Sequence, residues 1–168
     1  MDYPEKERLL PENRKNIVGI QGQLWSETLR ETGMMEYYMV PKIFAFAEKA
    51  WAKEVSWEDE ADASHRVEAI LTGWSEFSNR IGRHELPRLD WVFGDFNYRI
   101  APPGAVIEGG LLKANTAYPG LVIRYTTDGS EPTIESAEYT EPVMVQGEVK
   151  VRAFNARGRG SRTFEVMQ

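Results

Sequence analysis

The stretch Gly19-Ile20-Gln21-Gly22-Gln23-Leu24-Trp25-Ser26-Glu27 decides how the rest of the 168-residue chain is read. An apolar run, Asn16-Ile17-Val18-Gly19-Ile20, leads into polar residues and then sets Trp25 and Glu27 where a helix is about to start. Residues 17–24 are apolar enough for a strand buried on both faces, as parallel barrel strands are. A buried strand that ends in an aromatic and an acid, then turns into a helix, is the pattern of one β/α unit of a (β/α)8 barrel. In that architecture the carboxyl ends of the strands carry the chemistry. Trp25 and Glu27 are therefore the candidate site residues. Taken on their own, they are better accounted for as a core indole and a helix-start acid favoured by the dipole.

Working outward, residues 1–15 are charged, carry Pro4 and Pro11, and read as a loop. On the other side, Thr28-Leu29-Arg30-Glu31 has the form of a capping box, and Gly33 is placed to end that short turn. From Pro41 the pattern is helical, with Ile43, Phe44, Ala47, Ala50 and Trp51 recurring on one face. A second helix is expected from Ser56-Trp57-Glu58-Asp59, a further capping box with acids in its first turn. Its stripe of Val67, Ile70, Leu71, Trp74, Phe77 and Ile81 predicts a core face and no chemistry. That helix should end near Gly82, with His84-Glu85-Leu86-Pro87 opening a linker. Trp51, Trp57 and Trp74 are expected in the core, and Trp91 at the junction, packing the two parts together.

After residue 96 the period changes from helical to alternating. Leu121, Ile123 and Tyr125 alternate with Val122, Arg124 and Thr126, and Val149, Val151 and Ala153 with Lys150 and Arg152. Half-buried antiparallel strands have this pattern. Pro102-Pro103-Gly104, Gly109-Gly110, Pro119-Gly120, Asp128-Gly129 and Gly158 punctuate it at strand-length spacing, Asp128-Gly129 being foremost a turn. The expected fold is an α+β fragment. Residues 1–86 would hold the last strand and helices of a barrel plus an extra helix. Residues 87–168 would form a small Ig-like antiparallel β-sandwich of about six or seven short strands.

Composition excludes several classes of function. The net charge is −6, with 16 acids against 11 bases in residues 1–86 and 10 against 9 in residues 87–168. Neither half has the basic face that nucleic acid requires. No apolar run is long enough to cross a bilayer. The absence of cysteine removes disulfides and thiolate metal sites. His65 and His84 lack an acid or second histidine at ligand spacing, so neither a metal nor a cofactor is expected. The amino terminus lacks the basic-then-apolar pattern of a signal peptide. Residues 100–168 contain no tryptophan, which weakens a carbohydrate-binding role for the sandwich.

Three collinear blocks resemble glycoside hydrolase family 20, the β-N-acetylhexosaminidases and chitobiases. Gly22-Gln23-Leu24-Trp25-Ser26-Glu27 is similar to the end of that family's last barrel strand. Residues 40–51, Val-Pro-Lys-Ile-Phe-Ala-Phe-Ala-Glu-Lys-Ala-Trp, resemble its final barrel helix, with Lys42 and Lys49 where arginine is usual; lysine lacks the planar fork for bidentate pairing. Residues 124–133, Arg-Tyr-Thr-Thr-Asp-Gly-Ser-Glu-Pro-Thr, and their approach through Leu89-Asp90, Asn97-Tyr98-Arg99-Ile100 and Pro103-Gly104 resemble the domain that follows the barrel in chitobiases.

The resemblance implies the carboxy-terminal piece of an enzyme that removes terminal β-linked N-acetylglucosamine or N-acetylgalactosamine. The substrate's own acetamido oxygen attacks the anomeric carbon there, assisted by an adjacent Asp-Glu pair on a middle strand. The adjacent acids here are Glu58-Asp59-Glu60, at a helix start, so no catalytic residue is assigned and the chain alone is expected to be inactive. Glu27 is implied to accept hydrogen bonds from the sugar O4 and O6 hydroxyls, and Trp25 to wall the pocket for the acetamido methyl. Asp2 and Tyr3 are weak candidates for the rim. The implied partners are amino-sugar glycans, met by a parent that works in the periplasm, on the outer surface or outside the cell. An unpaired apolar strand at residues 17–24 also predicts self-association or fraying. The alternative is a non-catalytic binding or scaffolding module.

Overall fold

The computed structural model describes residues 10–53, 55–58, 60–92 and 96–167. The first two helices flank a sharp corner. Helix α1 (Thr32–Met39) runs into a cis Val40–Pro41 peptide, and α2 (Lys42–Trp51) starts directly after it. Pro41 is thus the residue before the helix rather than its first turn. Thr28-Leu29-Arg30-Glu31 forms no cap: Glu31 precedes α1 with no side-chain hydrogen bond, and Gly33 lies inside the first turn. The short run 32–39 lacked a clear apolar period, and its helix is held by tertiary contacts instead. The backbone N–H of Asn97 donates to the Glu36 carboxylate (2.8 Å), and the Asn97 amide donates to the Gly33 carbonyl (2.9 Å).

The long helix, α3, spans Ala63–Arg80 and starts later than its sequence suggests. Residues Ser56–Glu58 make only a 3-10 turn. Asp62 is the true cap, its carboxylate accepting from the backbone N–H of Ser64 (2.9 Å) and His65 (3.0 Å). A bond from the Ser64 hydroxyl, together with those from the two backbone N–H groups, holds the Asp62 carboxyl below the usual carboxylate range. Nor does a linker follow Gly82. Helix α3 passes through a turn of π-helix (Ile81–Glu85) into α4 (Leu86–Leu89) without leaving helical backbone.

The expected core face of α3 is buried only at its carboxyl end. Ile81 is 3% exposed and Phe77 packs beside it, whereas Val67, Ile70, Leu71 and Trp74 stay 41–62% exposed. Eighteen residues of helix extend about 27 Å, and the sandwich reaches only the last turns. Trp51 on α2 is likewise exposed, and Trp57 half-buried. Apolar spacing on these helices marks a face that could be covered, and among the described residues it is covered only in part, at Phe44 on α2 and at Phe77 and Ile81 at the end of the long helix.

Residues 104–166 form the antiparallel sandwich that the alternation predicts, with seven strands among the described residues. These are β1 (Gly104–Glu108), β2 (Leu111–Asn115), β3 (Val122–Thr126), β4 (Ala137–Tyr139), β5 (Val143–Met144), β6 (Val149–Phe154) and β7 (Phe164–Val166). One sheet has the order β1-β2-β5 and the other β4-β3-β6-β7. The β1–β2 hairpin turns on Gly109 and Gly110, both at positive φ (58° and 79°), the conformation a two-residue hairpin requires. Leu112, Ile123, Val145, Val149, Val151 and Val166 fill the space between the sheets. In register, Ile123 sits opposite Ala153 and Tyr139. Asp128-Gly129 is a turn, as expected: Asp128 accepts from the Ser130 N–H (3.0 Å), and Gly129 has φ 76°.

A second core joins the helices to the sandwich. Val40, Ile81, Leu86, Tyr98 and Ile100 pack against Ala153 at the end of β6. Two glycines let the backbones meet. A Cβ on Gly82 would lie 2.1 Å from the Pro119 carbonyl oxygen, and one on Gly120 would lie 2.9 Å from the Gly82 carbonyl oxygen. Beside this contact lies a polar knot. Asn155 (7% exposed) donates to the Asp90 carboxylate (2.9 Å) and the Tyr98 hydroxyl (3.1 Å), and its oxygen accepts from the backbone N–H of Arg157 (3.1 Å) and Arg159 (2.9 Å). The Arg159 guanidinium stacks on the Tyr98 ring at 4.2 Å and donates to the Tyr98 carbonyl (2.6 Å). Two of its nitrogens have no hydrogen-bond partner, and the cation–ring contact offsets part of that loss. Burial pushes the Tyr98 phenol above its ordinary value, with the Asp90 charge adding to the rise. Trp91 lies at the junction but does not pack the two parts together: it is 78% exposed, and its contact with the sandwich is the Arg157 guanidinium over its ring at 5.0 Å.

Candidate functional site

Residues 17–26 form no strand. They have no regular secondary structure and no ladder partner, and Ile17, Val18, Ile20, Leu24 and Trp25 are 44–101% exposed. The physical reason is pairing: a strand exists through its neighbours' hydrogen bonds, and no described strand lies beside this segment. It does touch α2. A Cβ on Gly22 would come within 3.2 Å of the Phe46 ring, so the close approach there depends on a glycine.

Trp25 and Glu27 sit where this segment turns. The Leu29 N–H donates to the Ser26 carbonyl (3.1 Å), closing a turn at Glu27-Thr28, and α1 begins only at Thr32. Glu27 therefore does not start a helix, and Trp25, 70% exposed, is not core. Both bland readings of these residues fail in this structure. What remains is an exposed indole face and an exposed carboxylate two residues apart. An ionised carboxylate can accept from two hydroxyls, and an indole packs on apolar C–H groups. Asp2 and Tyr3 lie outside the described residues.

Several titratable residues elsewhere in the helical part are engaged in structure. Lys49 pairs with Glu58 (2.9 Å) and Glu48 with Arg80 (2.5 Å), which links α2 to its neighbours by exposed pairs of small energetic weight. Glu60 accepts from the Asp62 N–H (2.9 Å). Asp59 lies outside the described residues. His65 sits in the first turn of α3, its N–H on the Asp62 cap, and His84 is exposed in the π turn. No cluster among the described residues is suited to hold a metal ion. No helix there is long and apolar enough to cross a membrane.

Sequence reasoning missed two assemblies. One is the Asp90–Tyr98–Asn155–Arg159 knot, whose members lie up to 69 positions apart and share no local motif. Its one local signal is Asn155-Ala156-Arg157-Gly158, where Gly158 takes φ 78° and the Asn side chain closes the turn. The other is a groove beside Trp74, formed where α3 meets β2 and β4.

Comparison with known proteins gives this geometry its context. Residues 1–54 match the family model for the catalytic domain of glycosyl hydrolase family 20. Residues 85–163 match the chitobiase/beta-hexosaminidase C-terminal domain. The chain belongs to glycoside hydrolase family 20, joining part of that family's catalytic domain to its chitobiase-type C-terminal domain. Its relatives include a beta-hexosaminidase of Vibrio vulnificus, 33% identical over 173 residues, covering 93% of this chain and 20% of that protein. An N,N'-diacetylchitobiase of Vibrio harveyi is 33% identical over 153 residues, covering 86% of this chain and 17% of its own length. A beta-hexosaminidase of Porphyromonas gingivalis is 26% identical over 169 residues, 94% of this chain and 19% of that protein. The chain thus spans between 17% and 20% of the length of these relatives.

Proposed function

We propose that this chain is the carboxy-terminal part of a β-N-acetylhexosaminidase that hydrolyses terminal, non-reducing β-linked N-acetylglucosamine or N-acetylgalactosamine. In this reading residues 1–86 carry the last β/α unit of the (β/α)8 barrel and an extra helix, and residues 87–168 the Ig-like domain. Catalysis is substrate-assisted and retaining, and the Asp-Glu pair it needs stands in the rest of the barrel. This chain contributes substrate-binding residues: Glu27 accepts from sugar hydroxyls, and Trp25 walls the acetamido methyl. The parent works on amino-sugar glycans such as chitin oligosaccharides, in the periplasm, on the outer surface or outside the cell.

The observation that supports this reading is the unpartnered segment 17–27. Residues apolar enough for a central barrel strand run unpaired and exposed, and end in an exposed Trp25 and Glu27 within the stretch that matches the catalytic domain. Neighbouring strands would supply the missing ladder and turn both side chains toward a pocket at the strand end.

The test is release of nitrophenol from a β-N-acetylglucosaminide. The chain alone is expected to be silent. The parent carrying Glu27→Gln is expected to lose about 10- to 100-fold in kcat/KM, the scale of charge-assisted hydrogen bonds. Turnover by the chain alone would place the acid/base within it, and an unaffected parent variant would remove Glu27 from the substrate site. A parent with no turnover of any amino-sugar glycoside would favour the non-catalytic scaffolding module instead.

The same exposed segment predicts self-association of the isolated chain, since an unpaired apolar edge is a template for another. Light scattering should show mass rising with concentration, and Val18→Lys should suppress the rise. A concentration-independent monomer would contradict this.

A further inference from the structure

Trp74 is the last exposed member of the α3 stripe and the point where the surface chemistry changes. Its neighbours toward the start of the helix, Val67, Ile70 and Leu71, are aliphatic. Toward the sandwich it opens on a groove of about 530 Å³ lined by Asn79, Asn115, Thr116, Glu138 and Thr140. The indole is held in place by Phe77 (ring centroids 5.9 Å apart) and Tyr118 (6.3 Å), yet remains 52% exposed. The groove is assembled from α3, the end of β2, the start of β3 with the loop before it, and the edge strand β4, so the packing of helix on sandwich creates it.

We propose that this groove is a second carbohydrate site, which takes the pyranose rings of a β-linked amino-sugar chain. A sugar ring has an apolar C–H face and a polar rim, and the groove offers the complement of both. The indole receives the C–H face. The Asn79 and Asn115 carboxamides and the Thr140 hydroxyl can each donate and accept; the Thr116 hydroxyl, whose proton goes to the Tyr118 carbonyl (2.8 Å), can accept, as can the Glu138 carboxylate. The volume falls in the range of small-ligand sites. An anion is disfavoured: no lysine or arginine lines the groove, and Arg124, which pairs with the lining Glu138 carboxylate (3.1 Å), also donates to the Ser136 carbonyl (3.2 Å). The lining is mixed, with Pro119, Leu121 and Ile123 beside the amides and the carboxylate. A wholly apolar protein segment would therefore bury those polar groups at a cost, whereas a sugar's C–H face and hydroxyls meet both kinds. The choice of an amino sugar rests on the function proposed above; the groove shares no residue with Trp25 and Glu27.

The deciding experiment is a titration of the isotope-labelled chain with the β-1,4-linked N-acetylglucosamine tetramer, followed by NMR. The Trp74 indole N–H and the side-chain amides of Asn79 and Asn115 are expected to shift together along one saturating curve. Trp74→Ala also strips packing from Phe77 and Tyr118, so the exposed Asn115→Ala carries the test. It should keep the melting temperature and weaken binding about fivefold, the scale of one hydrogen bond. Unmoved Trp74 and Asn115 signals, or wild-type binding by Asn115→Ala, would overturn the proposal. The two functional readings separate cleanly. A parent whose nitrophenyl-glycoside turnover depends on Glu27, but whose Trp74 ignores the tetramer, keeps its activity and loses this groove. Saturable shifts at Trp74 with an unaffected Glu27→Gln parent keep the groove and lose the substrate site.

Discussion

Gly82→Ala is expected to destabilise the chain by about 3 kcal/mol, the upper range for overpacking a tight contact. The added methyl would sit 2.1 Å from the Pro119 carbonyl oxygen, 2.9 Å from the Pro119 nitrogen and 3.0 Å from its Cδ. Two of these atoms are backbone and the third belongs to a rigid ring, so no flexible side chain can yield. Gly120 faces back at the Gly82 carbonyl with φ 94°, a conformation that holds the loop in place. The π turn and the 119–120 loop would have to separate, opening the core of Ile81, Leu86 and Ala153 beside them. For a chain of this size the loss corresponds to a fall in melting temperature of about 10 °C. Gly73→Ala is the matched control. Nothing lies within 4 Å of a Cβ at Gly73, in the middle of α3. There the same methyl should stabilise by about 0.5–1 kcal/mol, because alanine loses less backbone freedom in a helix. Calorimetry on both variants checks the contrast. A Gly82→Ala protein that melts like the wild type would mean that helix and sandwich are loosely docked.

Asn155→Ala is expected to cost a similar amount, about 3 kcal/mol, for a different reason. The amide uses its full capacity, donating to Asp90 and Tyr98 and accepting from the Arg157 and Arg159 backbone. Asp90 is 3% exposed, so removing its donor leaves a buried carboxylate short of a partner. Two backbone N–H groups in the Gly158 turn lose their acceptor at the same time. The pair is tested by denaturant unfolding of Asn155→Ala, Asp90→Ala and the double variant. Because the two side chains share one network, the double variant should cost clearly less than the sum of the singles. Strict additivity would show that Asp90 and Asn155 act independently. With Gly82, this knot makes the helices and sandwich unfold together.

The sandwich was legible because its determinants are local. Period-two burial at Ile123, Val149 and Val151, and turn residues at Gly109-Gly110 and Asp128-Gly129, each act within a few positions. The helices were legible as elements but not at their ends. Asp62, rather than the capping box at Ser56, starts α3, because the competing boxes are equivalent until a backbone chooses between them. The apolar stripes on α2 and α3 said only that something could cover them. That they are covered only at Phe44, Phe77 and Ile81 among the described residues is a property of the neighbours, which periodicity leaves unstated.

Trp25 and Glu27 show the same division. Their chemistry, an indole face and a carboxylate two residues on, belongs to the sequence. Their setting does not: the strand expected before them depends on hydrogen bonds from chains of residues elsewhere, and without those it runs as exposed coil. The sequence by itself determined two kinds of thing: the elements whose stabilising contacts fall within a few residues, and the family resemblance carried by three collinear blocks. Tertiary structure alone decided the continuous α3–α4 passage, the Gly82–Pro119 contact, the Asn155 knot and the Trp74 groove. Each of these joins residues tens of positions apart, and its geometry exists only once the two backbones are in contact.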